Sequence, residues 1–115
     1  MFAAQKQLDN LIAITDYNKL QAMDKLNNIV DLAPLADKWT AFGWAVKEID
    51  GHNIQEILDT LSNLPLKPNQ PTMIIAHTIK GKGIPFMENT PIWHYRQPNQ
   101  EEYKIAAQSL GLVTD

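Results

Sequence analysis

Three short stretches of this chain carry residue types able to do chemistry. The first is Asp16-Tyr17-Asn18. An Asn amide oxygen and neighbouring backbone carbonyls are hard oxygen donors, suited to Mg²⁺ or Ca²⁺, and Mg²⁺ commonly also takes phosphate oxygens from a substrate or cofactor. Asp and Asn are equally turn formers, because their side chains hydrogen-bond to nearby backbone, and on spacing alone the turn is the stronger reading. The second stretch is Lys80-Gly81-Lys82-Gly83. Its glycines let backbone approach a ligand closely, and a Lys there is a point charge for phosphate. A solvated basic turn explains it as well. It is neither a P-loop nor a dinucleotide fingerprint, since the glycine spacing differs and no helix follows. The third is His94, beside Trp93 in a long loop containing Pro and Asn. Long loops on α/β scaffolds often carry function, and an imidazole there is suited to binding an oxyanion or moving a proton.

The other candidates read as structure. His77 falls at a strand end and reads as a packed histidine, and His52 in Asp50-Gly51-His52 belongs to a turn. None of the three histidines has the i, i+4 spacing of a zinc helix, and there is no cysteine to complete a thiolate site or a disulfide. Trp39, Phe42 and Trp44 read as core. Glu101-Glu102 reads as the negative first turn of a helix.

The elements that must position these residues alternate. Residues 2–8 read as the tail of a helix. Leu11-Ile12-Ala13-Ile14-Thr15 has the length and composition of a buried parallel strand. Residues 19–34 show little periodicity and read as loop. Leu35 to Phe42 reads as a short helix with Leu35, Trp39 and Phe42 on one face, closed by Gly43. Trp44 to Ile49 is a second strand, and Asn53 is placed to cap a helix over 54–63, with Ile54, Ile57, Leu58 and Leu61 at helical spacing. Thr72 to Thr78 is a third strand, Gly81 to Pro98 a long irregular loop, and Glu101 to Leu110 a last helix stopped by Gly111. This order predicts an α/β fold with an incomplete parallel sheet and flanking helices, in one domain over 1–115.

Bulk properties narrow the function classes. At 115 residues, 44% hydrophobic and 20% charged, the chain has the composition of a globular domain. A net charge of -3 argues against a broad nucleic-acid surface while allowing a local cationic pocket. No apolar run approaches the roughly 20 residues needed to span a bilayer, and the first residues lack a signal-peptide layout. The expectation is a cytoplasmic protein with neither a nucleic-acid nor a membrane partner.

Four segments, taken in order, resemble the thiamine-diphosphate-binding module of transketolase. They are Leu8 to Gln21, with Ile12-Ala13-Ile14-Thr15-Asp16-Tyr17-Asn18 at its centre; Pro34 to Trp44; Ile49-Asp50-Gly51-His52-Asn53; and Ile74 to Asn89, closed by Trp93-His94. They are most similar to split transketolases, in which this module is a separate N-terminal subunit. The resemblance implies an enzyme that moves a two-carbon ketol unit between sugar phosphates with thiamine diphosphate and Mg²⁺, or another divalent cation. It implies that Asn18 and the Leu20 backbone carbonyl bind the metal, that Asn18 and Lys80 lie at the cofactor diphosphate, and that His94 is the active-site histidine beside substrate and cofactor. It also implies a partner, a pyrimidine-binding transketolase subunit, in a homo- or hetero-oligomer.

The sequence departs from the family in one large respect. The metal motif of the family opens with Gly-Asp-Gly, and no such triplet occurs in these 115 residues. The chain resembles the C-terminal part of the module, without that Asp and without the Glu of the other module that activates the cofactor ring. Tyr95 stands where many full-length relatives have Gly. The expectation is a chain inactive alone. A non-catalytic α/β interaction module, or a truncated remnant that assembles with partner chains, is the competing reading.

Overall fold

The structure, a computed structural model, describes residues 1–112; the last three residues of the expected domain lie outside the described ones. In order, the elements are α1 (Phe2–Gln5), β1 (Ile12–Tyr17), α2 (Leu26–Ile29), α3 (Leu35–Ala41), β2 (Ala45–Asp50), α4 (Ile54–Ser62), β3 (Thr72–His77), a 3₁₀ turn (Pro91–His94) and α5 (Gln100–Ser109). They divide into two compact units. The first comprises Met1–Tyr17 and Leu32–Thr78, and the second Asn18–Asp31 and the chain from Ile79 onward.

The first unit is a parallel three-stranded sheet in the order β1-β3-β2. β3 is central because Met73-Ile74-Ile75-Ala76 is apolar at every position, as a strand covered on both faces must be, and all four of these side chains are buried. Alternate residues face two separate cores. Met73 and Ile75 join Trp44, with Ala3, Leu35, Ala36, Trp39 and Val46 packed against them. Trp39 meets Trp44 edge to face with ring centroids 5.0 Å apart, an arrangement that suits aromatic quadrupoles. Ile74 and Ala76 join Ile49, with the half-buried Ile57 of α4 packed against them and Thr60 of the same helix fully buried.

Several sequence expectations shift. The first strand starts one residue later than expected and runs two further, to Tyr17, and it is not buried: Ile12 is 41% and Ile14 62% exposed. Among the described residues it is an edge strand paired with β3 alone, and α4 packs chiefly on β2. The amphipathic face expected of α4 is therefore only partly used, with Ile54, Leu58 and Leu61 largely exposed. Phe42, expected in the core, is 49% exposed. The helix tail at 2–8 shortens to Phe2–Gln5. The caps follow expectation: the Asn53 side chain accepts from the Glu56 N–H, and Gly43 takes a left-handed φ of 86° after α3.

The second unit holds most of what read as loop. Residues 19–34 contain α2 and an antiparallel bridge between Leu20 and Lys25. The expected irregular stretch 81–98 is a chain of tight turns leading into the 3₁₀ turn, and α5 follows, one residue earlier at each end than expected.

Candidate functional site

The carboxyl ends of parallel strands collect ligands in open α/β sheets, because loops and helix N-termini converge there. In this sheet that edge is a hydrogen-bonded rung. Tyr17, His77 and Asp50 stand level on the three strands. The His77 Nε2 lies 2.6 Å from Glu48 Oε2 of β2, and its ring tilts against Tyr17 of β1 at 5.6 Å. His77 is thus half-exposed and polar-bonded rather than the packed histidine expected. One residue on, the Thr78 hydroxyl donates to the Asp16 carboxylate. Gly51 donates its N–H to the His77 carbonyl at 2.9 Å.

Asn18 is the first residue beyond β1. Its Oδ1 accepts the Leu20 N–H at 2.9 Å, so the turn expected from an Asn here is formed. The bridge between Leu20 and Lys25 draws its bonds from the flanking residues: Leu26 N–H donates to the Lys19 carbonyl, and Gln21 N–H to the Asp24 carbonyl. That pattern is a non-hydrogen-bonded antiparallel pair, in which the paired residues turn their own N–H and C=O outward. The Leu20 carbonyl is therefore left outside the bridge, on the side where its N–H meets Asn18. Asp24 closes the turn: the Asn28 side chain, and then the Lys25 N–H, hold its carboxyl below the usual carboxylate range.

Lys80 opens the second loop. Its carbonyl accepts the Asn89 N–H at 3.0 Å, which closes residues 80–89 into one loop. Gly81 makes that closure possible. It holds φ at 76°, and a Cβ there would lie 2.7 Å from the Met87 carbonyl carbon and oxygen. Inside the loop Gly83 N–H donates to Glu88 Oε1 at 3.0 Å. The half-buried Lys80 side chain makes no hydrogen bond or ion pair among the described residues.

His94 is exposed at the end of the 3₁₀ turn, but its neighbours are fixed. The Trp93 indole N–H donates to the Phe86 carbonyl at 3.1 Å, and the two rings pack edge to face. The Arg96 guanidinium lies 4.5 Å over the Trp93 ring and pairs with Glu102 at 2.5 Å. Glu102 also closes a capping box with Asn99 at the start of α5. The Asn99 backbone N–H, and then Arg96, hold the Glu102 carboxyl below its ordinary value. Glu102 thus does more than place negative charge in the first turn of a helix, and the Asn-x-x-Glu spacing of a capping box is the sequence signal for it. Nothing in the sequence marked Arg96, Thr78 or the Asp16 partnership.

Asn18, Leu20, Lys80 and His94 all fall in the second unit, and among the described residues no hydrogen bond joins Asn18, Lys80 and His94 to one another. A metal fits two of these positions chemically: Asn18 Oδ1 keeps a second lone pair, and the Leu20 carbonyl is uncommitted. Both are hard oxygens of the kind Mg²⁺ takes. Among the described residues no cluster of three His, Cys, Asp or Glu offers an alternative cage. The two oxygens suit part of a metal site, and the same unit carries the Lys80 cation and the His94 loop imidazole.

Comparisons with known proteins give this geometry a context. The model of the transketolase thiamine diphosphate binding domain matches residues 1–115. Over 110 residues the chain is 44% identical to the 6-deoxy-6-sulfo-D-fructose transketolase subunit SqwG of Clostridium sp. (strain MSTE9), covering 96% of this chain and 40% of that protein. Over 109 residues it is 44% identical to an apulose-4-phosphate transketolase subunit from Actinobacillus succinogenes, covering 94% and 39%. Among solved structures, transketolase from Campylobacter jejuni superposes with a TM-score of 0.80 at 26% identity, over 96% of this chain and 17% of that one. A point mutant of Pichia stipitis transketolase in complex with fructose 6-phosphate superposes with a TM-score of 0.86 at 23% identity, over 96% and 16%, a likeness of fold alone. The chain spans about 40% of the length of the transketolase subunits it matches and about 15% of the longer transketolases.

Proposed function

Because the chain belongs to the transketolase family through its thiamine diphosphate binding domain, we propose that it forms one wall of a transketolase cofactor site. Asn18 Oδ1 and the Leu20 carbonyl hold a divalent cation, Mg²⁺ in the first instance. Lys80 offsets diphosphate charge, and His94 meets the sugar phosphate and the cofactor. Bound there, thiamine diphosphate supplies the nucleophilic carbon that carries a two-carbon ketol unit between sugar phosphates. The chain's own residues bind and orient: the Asn18 turn fixes two oxygen donors, the Lys80 loop fixes one cation, and the anchored 93–96 segment presents an imidazole able to hold an oxyanion or move a proton at a substrate hydroxyl. The observation that carries this reading is the family match over the whole chain. It is supported by the position of Asn18 one residue after β1 and Lys80 three residues after β3, both beyond the carboxyl ends of adjacent parallel strands.

The proposed site needs groups beyond these residues. The 115 residues hold no Gly-Asp-Gly, and among the described residues no carboxylate cluster stands ready to replace it. Relatives are named as transketolase subunits, and we expect a pyrimidine-binding transketolase subunit to contribute the Glu that activates the cofactor ring, in a homo- or hetero-oligomer. Alone, the chain is expected to show no ketol transfer and no thiamine diphosphate binding at micromolar concentration, which calorimetry reads directly.

The decisive experiment places these residues in the matching stretch of the Clostridium protein and assays ketol transfer with its partner. Thiamine-diphosphate-dependent turnover that falls at least tenfold with Asn18→Ala or Lys80→Ala supports the reading; a folded, assembled chimera without turnover overturns it. A second reading, a chain that serves assembly without chemistry, is favoured by the bare apolar face of β1 at Ile12 and Ile14. It predicts a chimera that assembles with its partner but is indifferent to both substitutions.

A further inference from the structure

The two chain segments that carry Asn18 and Lys80 leave the first unit from neighbouring strand ends. β1 runs out at Tyr17 and β3 at His77, on the same rung. Parallel strand ends have no intrinsic reason to stay level once the ladder stops, because the next backbone groups have no ladder partner. Something local must hold them.

One side chain touches both neighbours. Thr78 is the first residue beyond β3, and its hydroxyl donates to the Asp16 carboxylate of β1, a charge-assisted bond of the stronger kind. On its other side its methyl group fills the space over Gly51, in the turn after β2: a Cβ on Gly51 would lie 2.5 Å from Thr78 Cγ2. Asn18 is two residues beyond Asp16, and Lys80 is two residues beyond Thr78. The bond between Asp16 and Thr78 therefore ties the two departure points from which the proposed metal ligand and diphosphate cation emerge. The His77–Glu48 contact makes a second tie one residue earlier, between β3 and β2.

We propose that Thr78 is a positioning residue, its hydroxyl on Asp16 and its methyl over Gly51 setting where the Asn18 and Lys80 turns begin. That these turns serve thiamine diphosphate rests on the function proposed above. That Thr78 orders them is a claim about the ligand-free chain and is tested there.

The test is amide hydrogen exchange by NMR on the full chain. Two amides report on the turns: Leu20, bonded to Asn18 Oδ1, and Asn89, bonded to the Lys80 carbonyl. Ile75 in central β3 is the control. Thr78→Val keeps the methyl group and removes the hydroxyl, and is expected to speed exchange at Leu20 and Asn89 by roughly tenfold, as loss of a hydrogen bond to a charged group allows. Ile75 keeps its rate. Thr78→Ser keeps the hydroxyl and is expected to stay within about twofold at both turns. Asp16→Ala removes the same bond from the other strand and is expected to reproduce the valine result, which covers the case of a valine variant that does not fold. Native exchange at Leu20 and Asn89 in both Thr78→Val and Asp16→Ala overturns the proposal. So does an equal acceleration at Ile75, which would mark a general loss of stability. Because no cofactor is present, failure here leaves the chimera result standing, and failure of the chimera leaves this one standing.

Discussion

The Asn18 turn and the Lys80 turn follow adjacent strands, yet they are held by opposite means. The Asn18 turn depends on a side chain: Oδ1 accepts the Leu20 N–H, and the same oxygen is the proposed metal donor. The Lys80 turn is held without its own functional side chain: the Asn89 N–H bonds to the Lys80 carbonyl, Gly81 is pressed against Met87, and within the loop the Glu88 side chain accepts the Gly83 N–H. On the proposed function, the first arrangement makes one atom serve both folding and binding. The second leaves the functional side chain out of the folding bonds altogether. Substitutions should therefore separate structure from binding at Lys80 and confound them at Asn18.

The largest effect is expected where that contrast is set by sterics. Gly81→Ala places a Cβ against the Met87 backbone at a φ of 76°, and neither side is a flexible side-chain end that could move aside. A non-glycine residue in this conformation costs about 1–3 kcal/mol before any clash, so urea denaturation should show a loss of about 2 kcal/mol or more, with Asn89 deprotected. A loss under about 0.5 kcal/mol would mean that the loop is not held as described. Lys80→Ala, by contrast, should leave stability within about 0.5 kcal/mol, as for a side chain without a structural partner.

The Asn18 side of the comparison is smaller and mixed. Asn18→Ala deletes the bond to Leu20 and should lower stability by about 1 kcal/mol, the usual net worth of such a bond, and it removes a proposed ligand in the same step. Asn18→Asp separates the two. A carboxylate still accepts the Leu20 N–H, so exchange at Leu20 should stay near native, while divalent cation affinity in the assembled chimera should rise or hold. Loss of protection in the Asp variant would show that the amide group, rather than the oxygen, shapes the turn.

What could be read from the sequence follows the same division. The sheet was legible because the run from Thr72 to His77 is apolar wherever both faces are covered, and the helix caps were legible because Asn53 and Gly43 act through their own backbone neighbourhood. Asn18 was legible as a turn for the same reason. The exposure of Ile12 and Ile14 was not, since an apolar strand reads alike at the centre of a sheet or at its edge, and only the order β1-β3-β2 distinguishes them. Asp16 with Thr78, and His77 with Glu48, were invisible because each joins residues far apart in sequence through a register that no local pattern encodes. The assignments of Asn18, Leu20, Lys80 and His94 came from the resemblance; their residue types alone left turn and ligand both open.

The smallest expected effect concerns the segment beside His94, where a titrating group does what a neutral amide does at Asn18. Glu102 accepts the Asn99 N–H and pairs with Arg96, which lies over Trp93. Its carboxyl is held below the ordinary value in the folded chain. The resulting stabilisation is fully present above the unfolded pKa and is lost as pH falls through the lower folded one. Acidification from neutral pH to the bottom of the carboxylate range should therefore fray the start of α5 and free Arg96 from Glu102, seen as shifts of the Asn99 amide and the Trp93 indole N–H. Glu102→Gln keeps a side chain able to close the capping box but cannot lose a charge, so these shifts should vanish in that variant while α5 remains capped. Persistence of the Trp93 shift in Glu102→Gln would assign the pH response to another group and leave the fixing of the His94 segment to the Phe86–Trp93 contact alone.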